Sequence, residues 1–161
     1  MAIRGSCLCG AFVFEVERVA GPFEICHCNR CRKRSGAAGL PMVGVNASDY
    51  RVLSGSEAVV TYAAPVLGKP PPYHSHFCQQ CGSPLPTPDP GEWFEIPAGL
   101  FDDDPQIRPD KHIFVELVPA WDNISDGLPQ LTLRELVRSR RGEELPADHE
   151  MVTHHGDKVR V

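Results

Sequence analysis

Residues 26–31 read Cys26-His27-Cys28-Asn29-Arg30-Cys31, three thiols within six positions. The thiolate is the form that binds metal, and a soft thiolate suits zinc. The Cys28-x-x-Cys31 step lets two sulfurs converge on one tetrahedral ion at about 2.3 Å each, and Cys26 adds a third sulfur two residues earlier. No fourth thiol lies nearby in the sequence. A structural zinc site is closed by four protein ligands, whereas a catalytic one keeps a position open. A set of three therefore points toward chemistry.

Outward from this stretch, the other four cysteines account for the number. Cys7 and Cys9 form C-x-C near the start, and Cys78 and Cys81 form C-x-x-C in Phe77-Cys78-Gln79-Gln80-Cys81-Gly82. Together they make a complete four-sulfur set, split across about half the chain. The resulting expectation is one closed zinc site that ties the fold together and one open site that carries chemistry. Two alternatives stand beside it. In one, the seven cysteines are ordinary buried residues, against which their three tight clusters argue. In the other, both sites are structural, with His27, His74 or His76 as the eighth ligand.

A length of 161 residues makes one domain the default and allows a real core. A composition 42% hydrophobic and 23% charged is that of a soluble globular protein. No apolar run approaches the ~18–20 residues of a membrane span, and the opening Met1 to Gly10 lacks an apolar signal core. A cytoplasmic location is the default expectation, with no membrane partner. In a reducing compartment, clustered cysteines read as metal ligands rather than disulfides. A net charge of −5 disfavours nucleic acid as a partner. Two basic runs remain. Arg138, Arg140 and Arg141 read as a solvated face, while Arg32, Lys33 and Arg34 directly follow the three-cysteine cluster.

Ala11 to Glu17 alternates, with Phe12, Phe14 and Val16 on one face, and predicts a half-buried strand leaving the first cysteine pair. Phe23 to Cys26 is a short strand delivering the central cluster, and Asn29 to Ser35 a helical turn that Gly36 ends. Leu40 to Val45 is a further strand. Arg51 to Leu53 and Ala58 to Tyr62 read as a strand pair joined at Ser54-Gly55. Ala64 to Pro72, rich in proline, reads as a loop over a site. Trp93 to Ala98 and His112 to Val118 are strands, and Asp102, Asp103 and Asp104 between them a solvated turn. Thr132 to Glu135 is a capping-box signature that predicts a helix from about Thr132 to Arg141. The polar chain from Gly142 onward, with His154 and His155, reads as a loosely held tail.

The order of these motifs resembles the glutathione-dependent formaldehyde-activating family, also called centromere protein V-like. The matching elements are Cys7-x-Cys9-Gly10 before a strand, residues 26–36 and residues 77–85. They are followed by His112 in a late strand, Ala120-Trp121, and Asp126-Gly127-Leu128-Pro129. The resemblance covers residues 3 to about 131. It implies a mainly β fold, a β-tent of small antiparallel sheets gripped by zinc, with a short C-terminal helix added here. Residues 1–131 would form the zinc-binding β-tent, and 132–161 a helix and polar tail of the same domain. It also implies a structural zinc on Cys7, Cys9, Cys78 and Cys81. A second, weaker and partly occupied zinc would sit on Cys26, Cys28 and Cys31, the catalytic set. The implied activity is a carbon–sulfur lyase type, forming S-(hydroxymethyl)glutathione from formaldehyde and glutathione. Arg30, Arg32 and Arg34, with Lys33 beside them, are the candidates for binding that small thiol by charge-assisted bonds. His27 is a candidate acid or base near the metal, although its alternation with Cys26 and Cys28 points it away from them. The competing reading is a zinc-stabilised binding module, or a glutathione carrier without turnover. Oligomeric state has no signal in the sequence.

Overall fold

The structure is a computed structural model and describes residues 2–63, 73–152 and the backbone of 158–160. The prolines between Ala64 and Pro72, and His154-His155, lie outside the described residues. Among those described, the elements in chain order begin β1 (Ile3–Ser6), β2 (Val13–Val16), β3 (Phe23–Cys26) and α1 (Asn29–Ser35). There follow β4 (Leu40–Asn46), β5 (Tyr50–Ser54), β6 (Val59–Ala63), β7 (His74–Cys78), β8 (Trp93–Pro97) and β9 (Lys111–Ile113). The chain closes with β10 (Gln130–Leu131), α2 (Leu133–Arg141), β11 (Glu150–Val152) and β12 (Lys158–Arg160). The fold is thus mainly β, of small sheets with two helices. No helix among the described residues is long and apolar enough to cross a membrane.

The chain divides into two units, each with its own core. The first comprises Met1–Phe23, Pro41–Tyr62 and His74–Pro109. In it β2 pairs antiparallel with β1, matching Ile3 to Val16, and on its other edge with β5. The alternation of the sequence sends Phe12, Phe14 and Val16 inward, all nearly inaccessible. The Phe14 ring meets Tyr50 and Phe101, each 5.7 Å between centroids. Burying aromatic area of this kind is the main stabilising term of so small a sheet. Strands β4 and β8 pair antiparallel from Met42 opposite Pro97 to Asn46 opposite Trp93, and carry Val45, Phe94 and Ile96 into the same core. Cys7 and Cys78 belong to this core as well.

The second unit comprises Glu24–Leu40, Ala63–Tyr73 and Asp110–Val161. Strand β9 runs parallel to β3 on one side and to β10 on the other, placing His112 beside Ile25 and Gln130. Its core gathers Cys26, Cys28, Ile113 and Leu136, with Cys31, Phe114, Leu117 and Leu131 packed against them. The Thr132 hydroxyl caps α2 and the Glu135 side chain returns the bond, so both halves of the expected capping box are present.

Three expectations need correction. Strands β5 and β6 do not pair with each other: β5 joins β2, and β6 joins β7. The strand anticipated through Val118 stops at Ile113, because Phe114 takes a left-handed conformation (φ 59°) and turns the chain into a 3₁₀ turn at Val115–Leu117. The basic run on α2, by contrast, is the solvated face anticipated, with Arg138, Arg140 and Arg141 all exposed. Arg140 meets the carboxylate of Glu24, and Arg138 that of Glu144. The stretch after Gly142 is not loose, since Arg134 donates to the carbonyls of Leu145, Pro146 and Ala147. Beyond it β11 pairs antiparallel with β12. The three aspartates, by contrast, sit in the anticipated turn. Asp102 accepts from the Ser6 hydroxyl, Asp103 from the Arg4 amide, and Asp104 pairs with Arg108.

Candidate metal centres

Two groups of thiols converge, and each lies within one unit. In the first unit, two tight turns present Cys7 and Cys9, and Cys78 and Cys81. In each, the first cysteine's carbonyl accepts the amide of a glycine, Gly10 at 2.8 Å and Gly82 at 2.8 Å. Both glycines have φ of 73°, a left-handed conformation that costs a residue with a Cβ about 1 kcal/mol or more. That is why each cysteine pair is followed by glycine. The Leu8 amide donates to the Ser83 hydroxyl and links one turn to the other. The Cys7 sulfur lies 3.5 Å from that of Cys9 and 3.8 Å from that of Cys78, and Cys9 and Cys78 are 3.8 Å apart. All four sulfurs fall within 4.8 Å of one another. A tetrahedral zinc with bonds of about 2.3 Å requires sulfur separations of about 3.8 Å. The group fits a zinc ion and is too open for disulfides, whose sulfurs lie about 2 Å apart.

In the second unit Cys26 ends β3, Cys28 is the N-cap of α1, and Cys31 is on the helix. Their three sulfurs also fall within 4.8 Å of one another. All seven cysteines are free thiols. No histidine joins either group among the described residues. The crowding sets the acid–base chemistry. The Cys28 thiol falls far below the ordinary thiol range because Cys26, then Cys31, hydrogen-bond to it, and Arg30 adds its charge. Cys26 rises, first because it is held as a donor to Cys28. Cys31 also rises: its bond to Cys26 pulls downward, but its bond to Cys28 and its burial outweigh that pull. One proton therefore leaves easily and two do not. A bound cation supplies the positive charge that lets all three ionise.

The basic residues divide. The Arg30 guanidinium stacks over the Tyr73 ring, 5.0 Å from its centroid, and its charge acts on both Cys28 and Cys31. Arg34 hydrogen-bonds Tyr73, whose hydroxyl is nonetheless held to its neutral form by burial. Arg32 turns back along the helix to donate to the Asn29 side chain at 2.6 Å, and Lys33 is exposed. Tyr73 had no signature in the sequence, since it stands 42 positions from Cys31 at the end of a proline-rich stretch.

His27, between two thiols, points away from both, as alternation requires. It is 3% exposed. Its Nδ1 lies 2.9 Å from the Ala38 carbonyl oxygen and its Nε2 lies 2.8 Å from His112 Nδ1. His112 Nε2 in turn lies 2.9 Å from the Asp126 carboxylate. Burial pushes the His27 imidazole down, and the hydrogen bond from His112 holds the Asp126 carboxyl below the usual carboxylate range. His112 and Asp126 carried no local pattern that tied them to residue 27, because the parallel pairing of β3 and β9 makes the link.

Comparison with known proteins agrees with this architecture. A family model described as "Glutathione-dependent formaldehyde-activating enzyme" matches residues 2–117. A protein of Halomonas elongata named "Putative glutathione-dependent formaldehyde-activating enzyme" is 35% identical over 126 residues, 75% of this chain and 80% of that protein. A crystal structure of a Rhodobacter sphaeroides protein aligns with a TM-score of 0.50 at 21% identity, covering 80% of this chain and 99% of that one. That likeness concerns the fold. The chain belongs to the glutathione-dependent formaldehyde-activating enzyme family.

Proposed function

We propose that the protein joins formaldehyde to the thiol of glutathione at the Cys26, Cys28, Cys31 site, giving S-(hydroxymethyl)glutathione, a reaction of the carbon–sulfur lyase class. Zinc on Cys7, Cys9, Cys78 and Cys81 would be structural, and zinc on the three-thiol site catalytic. The observation that carries this reading is the number of donors. Four sulfurs close one group, whereas three make up the other among the described residues. Family membership points to the same substrates. When bound, an ion at the three-thiol site supplies Lewis acidity and a position for an outside sulfur.

The chain's own residues supply the rest. Three thiolates carry more negative charge than zinc offsets, and Arg30 lies where its charge reaches two of them. Arg30 and Arg34, joined through Tyr73, provide guanidinium donors for the carboxylates of glutathione, with Arg32 on the same helix. The reaction is not a redox one. The glutathione sulfur bonds to the formaldehyde carbon, the carbonyl π pair moves to oxygen, and the thiol proton ends there.

The test is calorimetric binding of glutathione to fully zinc-loaded protein, together with the rate of adduct formation from ¹³C-formaldehyde followed by NMR. Binding and acceleration are expected, and Arg30→Ala should weaken binding by about 1–3 kcal/mol. No binding at millimolar glutathione refutes the proposal. Binding without acceleration makes the protein a glutathione carrier.

A further inference from the structure

The three-thiol site has a support that its own motif does not contain. Cys26, His27 and Cys28 are consecutive, so whatever fixes His27 fixes the backbone between two ligands. His27 is tied at three points. Its amide donates to the Ile113 carbonyl at 3.0 Å, Nδ1 meets the Ala38 carbonyl, and Nε2 meets His112. The imidazoles of His27 and His112 lie with centroids 5.1 Å apart, and both residues are buried. Close approach of residue 39 completes the clamp. A Cβ built there would stand 3.1 Å from His27 Cε1 and 3.0 Å from the Ile25 side chain, so glycine lets the chain lie against the ring. The far end of the series, Asp126, is anchored by accepting the Leu128 amide at 3.0 Å.

We infer that His112 and Asp126 are positioning residues for the three-thiol site, acting through His27 to hold Cys26 and Cys28 with their sulfurs already converged. The inference rests on the metal reading of that site. The physical gain is entropic. A segment clamped before the ion arrives does not lose its conformational freedom upon binding. Partners that orient ligands without touching the metal typically change its affinity by about 10- to 100-fold.

The chemistry of the series supplies a discriminating variant. The Ala38 carbonyl and the Asp126 carboxylate are both acceptors, so three hydrogen bonds in line need three hydrogens. Two neutral imidazoles carry two, one fewer than the line ending on the Asp126 carboxylate requires. Asparagine at 126 would donate its amide hydrogen to His112 Nε2 and keep all three bonds with both rings neutral. Alanine would break the line. Asp126→Asn thus preserves the geometry while removing the charge.

The experiment titrates zinc-loaded, full-length protein with a chromophoric chelator and reads the affinity of the more weakly held zinc. It is run for the natural chain, Asp126→Ala and Asp126→Asn, with imidazole ¹⁵N NMR reporting the His27 tautomer. Asp126→Ala should weaken that zinc about tenfold and blur the Nδ1–H signature of His27. Asp126→Asn should restore the affinity to within about threefold and the signature with it. Equal affinity in the natural chain and Asp126→Ala overturns the inference. So does Asp126→Asn behaving like Asp126→Ala, which would assign the effect to charge. Simultaneous loss of both zinc ions and the cooperative melt in Asp126→Ala also overturns it, since the pair would then serve the fold. A natural chain that holds a single zinc removes the metal reading and the inference together. Failure of glutathione to bind protein holding both ions refutes the proposed function alone.

Discussion

Replacing Cys78 by serine should separate the closed thiol group from the open one by its effect on the fold. Cys78 is 1% exposed, and its sulfur stands 3.8 Å from those of Cys7 and Cys9. A complete structural zinc site is worth about 10–16 kcal/mol in small domains. Losing one ligand in four with only a third of that value removes about 4 kcal/mol. The new hydroxyl, buried in an apolar core and short of a partner, adds about 1 kcal/mol or more. Against a total stability of ~5–15 kcal/mol, the sum is a large fraction. At ~2–4 °C per kcal/mol for a chain of this size, the melting temperature should fall by about 10–20 °C. The assay is a thermal melt followed by circular dichroism, with zinc content measured on the same sample. Cys31→Ser, in a site expected to hold its metal more weakly, should shift the melt by only a few degrees. A Cys78→Ser protein that melts within about 3 °C of the natural one would refute the reasoning.

Glu24 is buried, with Lys111 Nζ at 3.3 Å and Arg140 also meeting its carboxylate. Both cations keep access to water, at 27% and 46% exposure. Glu24→Ala should therefore cost about 1–2 kcal/mol, less than burying an unpaired charge, and a double-mutant cycle with Arg140→Ala should couple by under about 1 kcal/mol. The Glu135 carboxyl is held below its ordinary 4.5 by the backbone amide, then the hydroxyl, of Thr132. A carboxyl with a lowered folded value stabilises above its unfolded value and loses that contribution as pH falls through the folded one. The first turn of α2 should therefore loosen as the pH falls below about 4.5, which amide exchange at Glu135 and Leu136 would report. Glu135→Ala should abolish that pH dependence.

Both thiol groups were legible in the sequence because ligand spacing within a turn is local chemistry. The same holds for α1 with its left-handed Gly36 and for α2 with its capping box. Pairing was less legible. Strand β5 has an obvious neighbour in β6 along the chain, yet β2 offers it Phe14 and a buried face, and burial decides. Strand β1 has a single large apolar residue, Ile3, so its four residues carry no alternation to read. The break at Phe114 was invisible because an aromatic residue in a left-handed conformation is uncommon; tertiary packing imposes it. Of the three-thiol site, the motif displayed the thiols but not their surroundings. Tyr73, His112 and Asp126 come from elsewhere along the chain, and Arg30 stood out among its basic neighbours only once Tyr73 was in place.

The two halves of the closed thiol group are separated by 69 residues between Cys9 and Cys78. Translation at ~5–20 residues per second leaves about 3–14 s between the emergence of one half and the other. Throughout that interval Cys7 and Cys9 are an incomplete pair on an unfinished chain, open to oxidants and to competing metals. The run from Cys26 to Cys31 is synthesised as one piece and can take up an ion before β5 exists. Were both groups to take metal, the three-thiol run would be available first during synthesis, the reverse of the expected order of affinity. Any metal tie in the first sheet would have to wait until the second knuckle has left the ribosome.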